Sequence, residues 1–219
     1  AIIHKGIPIV NNKFQIFQKN FFAPSPTFAK ARKYAIISIF YKKAEVLIMW
    51  AYNETFYQIY PIGFCGAPTH NDGICVPRIL KLKDWSSYLE NLQIGSVLLN
   101  PIFESDNHGY DTRDFKKVDC RLGTNEDFQD VCDDLHKHHI KIVLDGVFNH
   151  VGRGFWAFQD VLEKKWDSPY KDWFHISFDG NSNYNDGLWY EGWEGNYDLV
   201  KLNLRNEDVI QHIFAAIKG

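Results

Sequence analysis

The sequence predicts an α/β fold in which parallel strands are covered by helices, and three observations carry that prediction. Short apolar runs alternate with helical stretches in the order strand, helix, strand, helix, strand, the grammar of parallel pairing through crossover helices. The runs are apolar along their length, as expected where both faces of a strand are covered. Polar and aromatic residues gather just after the strands, where a (β/α)₈ barrel carries its active site. No GxGxxG follows the first run, so a dinucleotide-binding doubly wound sheet is unsupported.

The first strand, residues 55–60 (TFYQIY), is stopped by Pro61 and Gly63. After a loop rich in Gly, Pro and Asn, Leu82, Trp85, Leu89 and Leu92 recur at helical spacing, and Gly95 stands where a helix would end. The second strand, 96–100 (SVLLN), is closed by Pro101, and a loop is expected through Gly123. Thr124 then reads as an N-cap with Glu126 and Asp127 in the first turn, ahead of the stripe Phe128, Val131, Cys132 and Leu135. The third strand, 140–144 (IKIVL), runs into Asp145-Gly146-Val147-Phe148-Asn149-His150. Residues 151–200 read as irregular and aromatic-rich, and a last helix starts near Asn206.

Composition bounds the function. The 219 residues are 45% hydrophobic, enough for one sizeable core, and the net charge of −3 gives no global basic field for nucleic acid. Residues 1–50 hold eight basic side chains against Glu45 alone, a balance of +7 that leaves −10 for the rest. That shift marks a boundary near residue 50 and a basic leading segment of unknown role. The apolar run 35–41 is far short of the roughly 20 residues of a membrane span, and no secretory leader is evident. A cytoplasmic protein without membrane association is expected. Cys65, Cys75, Cys120 and Cys132 lack CxxC spacing, so buried or half-buried free thiols are expected rather than a zinc or redox site.

The sharpest chemical cluster is 145–150. Alternation along a strand would put Asp145 and Val147 on one face and Gly146 and Phe148 on the other. A buried Asp145 would need an Arg or a hydrogen-bond donor as partner. Asn149 and His150, at the strand's exit, either grip a polyhydroxylated ligand or tie down the following loop. Tyr110, after Gly109, is either a ring that stacks under a sugar or a loop residue packed on a neighbour. Trp189, Tyr190 and Trp193 form either a carbohydrate platform or the core of the long insertion. Glu104, Asp111, Asp114, Glu191 and Glu194 are the acids from which a hydrolytic pair would be drawn, about 5–10 Å apart.

The hexapeptide 145–150 resembles the DxVxNH motif at the third strand of the α-amylase family of glycoside hydrolases. Phe56-Tyr57-Gln58-Ile59-Tyr60-Pro61 is similar to that family's first strand, and His108-Gly109-Tyr110-Asp111-Thr112 to its second-strand loop. Leu199-Val200-Lys201-Leu202-Asn203 resembles the short motif of the domain inserted after strand three. Its Lys-Leu-Asn ending is closer to the neopullulanase and cyclomaltodextrinase pattern, although Val200 stands where a proline is usual. The resemblance covers roughly residues 50–219.

The resemblance implies a retaining mechanism on α-1,4, or also α-1,6, glucosidic bonds of starch, maltooligosaccharides or cyclodextrins. It makes Tyr110 and His150 the residues that stack on and bind the sugar, Asp145 an organising group, and Asn149 a structural residue able to ligate a structural calcium. The Asn71-Asp72-Gly73 stretch is a poor fit to the denser oxygen-ligand loop of some relatives.

The resemblance also implies a partial (β/α)₈ TIM barrel. Residues 51–150 would supply its first three βα units, 151–203 an inserted loop-rich domain, and 204–219 the start of the third barrel helix, truncated before strand four. The family's nucleophilic Asp lies on strand four and its acid/base Glu after strand five, so no catalytic residue is expected within the chain. Such a polypeptide is expected to be inactive alone, with edge strands prone to association. The alternative is a non-catalytic carbohydrate-binding or interaction protein.

Overall fold

In the computed structural model the described residues are 50–218, so the basic leading segment lies outside them apart from Trp50. Residues 50–54 belong to a separate unit, of which a single 3₁₀ turn, Trp50–Asn53, is described. The larger unit begins at Thr55.

Its first half is a parallel three-stranded sheet in the order β1 (Phe56–Ile59), β2 (Ser96–Leu99), β5 (Lys141–Leu144). Phe56 pairs with Ser96 and Ser96 with Lys141, so the three strands run in step. All three anticipated strands are therefore present and parallel. Only central β2 is largely buried; β1 and β5, at the edges, are mostly exposed or half-buried. The sheet is open, so the described residues show three strands of an α/β arrangement and not a closed barrel.

The helices follow from their sequences. α1 (Pro61–Phe64) is one turn, with Pro at its first position. The stripe read as one helix at 82–92 divides into a 3₁₀ stretch, Arg78–Trp85, and α2 (Ser86–Asn91). Ile79, Leu82 and Trp85 lie three apart, a spacing that eclipses side chains along one 3₁₀ face and keeps Ile79 and Leu82 buried. α3 (Asn125–Lys137) starts at a capping box: Asp127 N–H donates to Thr124 Oγ1 at 3.2 Å, and Thr124 N–H to Asp127 Oδ2 at 2.8 Å. Its stripe of Phe128, Val131, Cys132 and Leu135 is buried. It packs with Ile59, Leu89, Val97 and Leu99 into the core beneath the sheet.

The loop expected through Gly123 instead contains an antiparallel pair, β3 (Phe103–Ser105) and β4 (Thr112–Val118), with an irregular register. Charged residues at 113, 114, 116 and 117 hide the alternation, because this hairpin packs with only part of one face. Residues 151–200 are likewise more ordered than expected. β6 (His150–Gly152) leads to α4 (Trp156–Lys164) and the short pair β7 (Ile176–Ser177) and β8 (Trp189–Tyr190). β9 (Gly192–Trp193) and β10 (Asn196–Lys201) complete an antiparallel sheet in the order β6-β10-β9.

These segments enclose a second core that includes Phe115, Phe155, Phe158, Phe174, Tyr190 and Val200. Leu144, at the end of β5, packs against both cores and joins them. The anticipated last helix is α5 (Glu207–Lys218), capped by Asn206 Oδ1, which accepts from Asp208 N–H at 2.9 Å. All four cysteines are free; Cys75 is exposed and the other three are buried. No described helix is long and apolar enough to cross a membrane.

A buried charge pair ties the loops of the first half together. Arg121 and Asp119 are each 0% exposed, and the guanidinium meets both carboxylate oxygens at 2.7 and 2.8 Å. The remaining Arg121 donors reach Ser105 Oγ and the main-chain carbonyls of Pro68, Thr69 and Asn107. Replacing Arg121 by Met strands the Asp119 charge, so a loss of about 3–5 kcal/mol in urea unfolding is expected. The double replacement Arg121→Met with Asp119→Leu should recover part of it. A single-mutant loss below about 1 kcal/mol would show that the pair does not hold this region.

Candidate functional site

The site forms where β1, β2 and β5 end. Gln58 on β1 donates through Nε2 to Asn100 Oδ1 at 3.0 Å, and Asn100 Nδ2 donates to the Tyr110 hydroxyl at 2.6 Å. That hydroxyl in turn donates to Asp145 Oδ2 at 3.2 Å. A chain of hydrogen bonds thus crosses the tips of all three parallel strands and fixes the Tyr110 ring. Burial raises the Tyr110 pKa, as does Asp145, while the Asn100 bond works against them, so the phenol stays neutral and keeps its proton for Asp145.

Of the two kinds of partner anticipated for Asp145, the structure supplies the hydrogen-bond donor, the Tyr110 hydroxyl. Among the described residues the one fully buried arginine, Arg121, pairs with Asp119. The alternation read through 145–148 fails, because β5 stops at Leu144. Phe148 folds back so closely that a Cβ on Gly146 would meet its ring at 2.5 Å. The ring packs 5.4 Å from Phe115, which draws it into the second core. His150 therefore opens β6 rather than sitting on a strand exit.

Tyr110 is presented by a tight loop. Asp111, buried, accepts from the main-chain N–H groups of His108 and Gly109 and from Asn107 Nδ2. Gly109 has φ +92, and a Cβ there would lie 3.0 Å from the Pro101 carbonyl. Two glycines that sequence reasoning passed over seat this loop against β6. A Cβ on Gly152 would collide with the Asp111 carbonyl, and one on Gly154 would lie 2.7 Å from Arg113 Nε. Gly154 N–H also donates to Asp106 Oδ2, which is held by Arg113. The signal was the spacing His-Val-Gly-Arg-Gly directly after the motif.

This close docking brings His150 to the Tyr110 loop. Asn149 Nδ2 lies 3.3 Å from His150 Nδ1. An amide N–H can only donate, so Nδ1 accepts and the neutral ring carries its proton on Nε2. That Nε2 is buried and has no hydrogen-bond partner. Burial lowers the His150 pKa below its ordinary 6.5, and His108 adds to this. The Tyr110 main chain and Asp111 pull the other way. The result is an imidazole held neutral.

The three aromatics of the insertion separate. Tyr190 is 0% exposed and belongs to the core, its hydroxyl donating to the Tyr197 carbonyl at 2.8 Å. Trp189 is anchored on β8 through Nε1 to the Tyr197 hydroxyl. Of the three, Trp193 lies against a site residue, its ring 5.3 Å from that of His150.

The candidate acids are committed elsewhere. Glu104 takes Cys120 N–H and Asn71 Nδ2 and faces Lys117 at 3.4 Å. Asp111 closes its own loop, and Asp114 Oδ1 accepts from Lys116 N–H. Glu191 pairs with Lys201 Nζ at 2.5 Å, which holds its carboxyl below the usual range. Glu194 sits in a turn at φ 49.

Asn149 borders a cavity of about 410 Å³, lined also by His175, Glu191, Lys201, Asn203 and Arg205. A calcium ion takes six to eight oxygens, several of them carboxylate. Here the only acid is already neutralised by Lys201, two further basic side chains line the space, and the Asn149 amide nitrogen faces His150. The donor set suits an ammonium group and does not fit calcium. At Asn71-Asp72-Gly73, Asn71 Oδ1 accepts from Gly73 N–H and Asp72 Oδ1 from Ile74 N–H. Glu104, Asp119 and Cys120 do lie within 4.8 Å of one another, but Arg121 occupies both Asp119 oxygens.

The family description "Alpha amylase, catalytic domain" matches residues 58–218. A maltogenic α-amylase of Bacillus acidopullulyticus is 38% identical over 143 residues, 58% of this chain and 24% of that protein. Neopullulanase 2 of Thermoactinomyces vulgaris is 38% identical over 144 residues, 58% of this chain and 25% of that protein. Among solved structures, the cyclic α-maltosyl-(1→6)-maltose hydrolase of Arthrobacter globiformis, in complex with maltose, superposes with a TM-score of 0.66. It is 30% identical, over 77% of this chain and 42% of that one. The chain thus spans about a quarter of the length of the curated relatives named here.

Two measurements check this geometry. Gly152→Ala should push the Asp106–Asp111 loop off β6, with an overpacking cost of about 1–3 kcal/mol in urea unfolding; an unchanged midpoint would contradict the close approach. Burial also lowers the pKa of His212, with Lys116 adding to the effect, and its Nε2 is buried without a partner. Below about pH 6.5 the unfolded chain binds protons that folded His150 and His212 refuse, so stability is complete above that pH and falls as pH drops. The thermal midpoint should decrease from pH 7.5 to 5.5, and His212→Leu should flatten that slope.

Proposed function

The chain belongs to the α-amylase family, and from that premise we propose that it provides the sugar-gripping face of an enzyme cleaving α-1,4 or α-1,6 glucosidic bonds. Tyr110 offers its ring to the apolar face of one glucose unit, and His150 donates through Nε2 to a hydroxyl of the same unit. Asp145 and Asn149 serve them without touching sugar: Asp145 holds the Tyr110 hydroxyl, and Asn149 sets the imidazole tautomer. The observation that carries this reading is the buried, partnerless Nε2 of His150 beside a Tyr110 ring locked from three strands. A buried donor left empty costs about 1–3 kcal/mol, which a ligand acceptor would return.

The names of the relatives support the substrate class: maltogenic amylase, neopullulanase and a cyclic maltosyl-maltose hydrolase are proteins of α-glucan chemistry. On this reading residues 1–219 hold sugar and contain neither carboxylate of the hydrolytic pair. The support is that the candidate acids are spent on main-chain N–H groups or basic side chains, apart from Glu194 in its turn. Lys201 fills the role that a structural calcium would have at Asn149.

Titration calorimetry of the purified chain with maltotetraose tests the assignment. Tyr110→Ala and His150→Ala should each weaken binding about tenfold or more, roughly 1.4 kcal/mol; unchanged affinity in both overturns it. A reducing-sugar assay on soluble starch and cyclodextrin should show no turnover by the 219-residue chain, and robust turnover removes the claim about the carboxylates. Addition of a chelator should leave the thermal midpoint where it was, whereas a drop would restore calcium to the Asn149 site.

A further inference from the structure

His150 is only 6% exposed although it lies at the mouth of the site, and the side chain recorded stacking over it is Trp193. The two rings are 5.3 Å apart and inclined by 32°, close to stacked. Trp193 is itself 41% exposed, so one indole face covers the imidazole while much of the ring stays open to solvent.

The backbone builds this placement deliberately. Glu194 and Gly195 have φ of 49 and 82, the pair of left-handed residues that closes a tight hairpin between β9 and β10. A Cβ on Gly192 would collide with the Asn196 carbonyl, so only glycine lets the two strands approach this closely. The hairpin is then pinned at its base, where Lys201 N–H donates to the Glu191 carbonyl at 2.9 Å and Lys201 Nζ pairs with the Glu191 carboxylate. Lys201 is also the ladder partner of His150. Hairpin, ion pair and imidazole are thus fixed relative to one another within one sheet, β6-β10-β9.

We propose that Trp193 is a positioning and specificity-determining residue: its inner face sets the plane and the dryness of His150, and its outer face seats the glucose unit adjoining the one held by Tyr110 and His150. The second half rests on the proposed α-glucan function; the first does not. A planar apolar surface with a fixed tilt suits the C–H face of a pyranose, and placing it next to His150 makes the site favour chains of two or more units over a single glucose. The charged groups that act on His150 are His108 and Asp111 on the loop, and Lys201, itself paired with Glu191, is its neighbour across the ladder. Replacing Trp193 leaves all of them in place, so a change in His150 titration isolates the effect of the indole cover.

The test uses the full chain. The imidazole of His150, assigned in NMR spectra by comparison with His150→Gln, is titrated in the wild type, in Trp193→Ala and in Trp193→Phe. Loss of the ring should move the His150 midpoint up toward 6.5, and Phe should hold it near the wild-type value. Maltotetraose affinity should fall at least tenfold in Trp193→Ala while glucose affinity changes less than twofold. Trp166→Ala, which removes an indole that is 65% exposed on the same half of the chain, should alter neither readout. An unmoved His150 midpoint in Trp193→Ala overturns the positioning role, and equal losses for glucose and maltotetraose overturn the specificity role. If the wild type binds no maltooligosaccharide, the functional reading falls with the specificity role, and the titration still decides whether Trp193 governs His150. Should Trp193→Ala fail to fold, Trp193→Leu carries the same two readouts.

Discussion

The loop that presents Tyr110 rests on the buried Arg121–Asp119 pair. Burying two charges costs several kcal/mol per ion, and the attraction between them repays it only when the geometry is good and the remaining donors are satisfied. Here the guanidinium is used around its whole fork: two bonds to Asp119, one to Ser105 Oγ, and three to main-chain carbonyls. Those carbonyls belong to Pro68 and Thr69 after the first strand and to Asn107 beside the Tyr110 loop. The pair is thus best understood as a geometric constraint rather than a source of net stability. It converts loops that would otherwise need only to reach water into segments with one permitted arrangement, and Tyr110 inherits that arrangement three residues later.

The constraint on the other side is steric. β6 meets the Asp106–Asp111 loop main chain to main chain at Gly152, where a side chain would collide with the Asp111 carbonyl, and Gly154 leaves room for the side chains of Arg113 and Asp106. The parallel sheet and the aromatic-rich insertion have separate cores that share Leu144. His150 belongs to the second half and Tyr110 to the first, so neither half makes the site alone. The relay from Gln58 through Asn100 and Tyr110 to Asp145 then gives the joined surface a stiffness that a loop tyrosine would lack.

The sequence made the regular part of this legible and left the irregular part hidden, for identifiable reasons. The three parallel strands were readable as short apolar runs stopped by Pro or Gly, and the helix from Asn125 because its burial is periodic and the Thr124–Asp127 box is a local signal. β3 and β4 were hidden because residues 112–118 carry four charges on a strand only partly covered. α4 was missed amid aromatic residues whose burial comes from ring-on-ring contacts, such as Phe158 with Phe174 and Tyr190, rather than from a simple stripe. The motif at 145–150 placed Asp145, Asn149 and His150 at the site. It also implied an extended strand that Phe148 breaks by folding back on Gly146. The partner of Asp145 could not be read, because Tyr110 is 35 residues away and reaches it only through the tertiary fold.

The treatment of charge argues for the proposed division between gripping and cleaving. A general acid near neutral pH needs its carboxyl raised, by burial or by a second acid nearby. The described acids with resolved shifts are moved the opposite way. Glu191 is held down by Lys201, and burial of Asp186 is outweighed by its bonds from Arg153 and Ser182. Such carboxylates are permanent anions that brace loops. The groups assigned to the ligand under the proposed function are instead a neutral phenol and a neutral imidazole, dipoles that can be dried by a sugar ring without the penalty of desolvating an ion. A surface that binds by displacing water would be weakened by exposed charge. On the proposed reading, such a surface serves a hydrolytic pair without shifting the pKa values that pair requires.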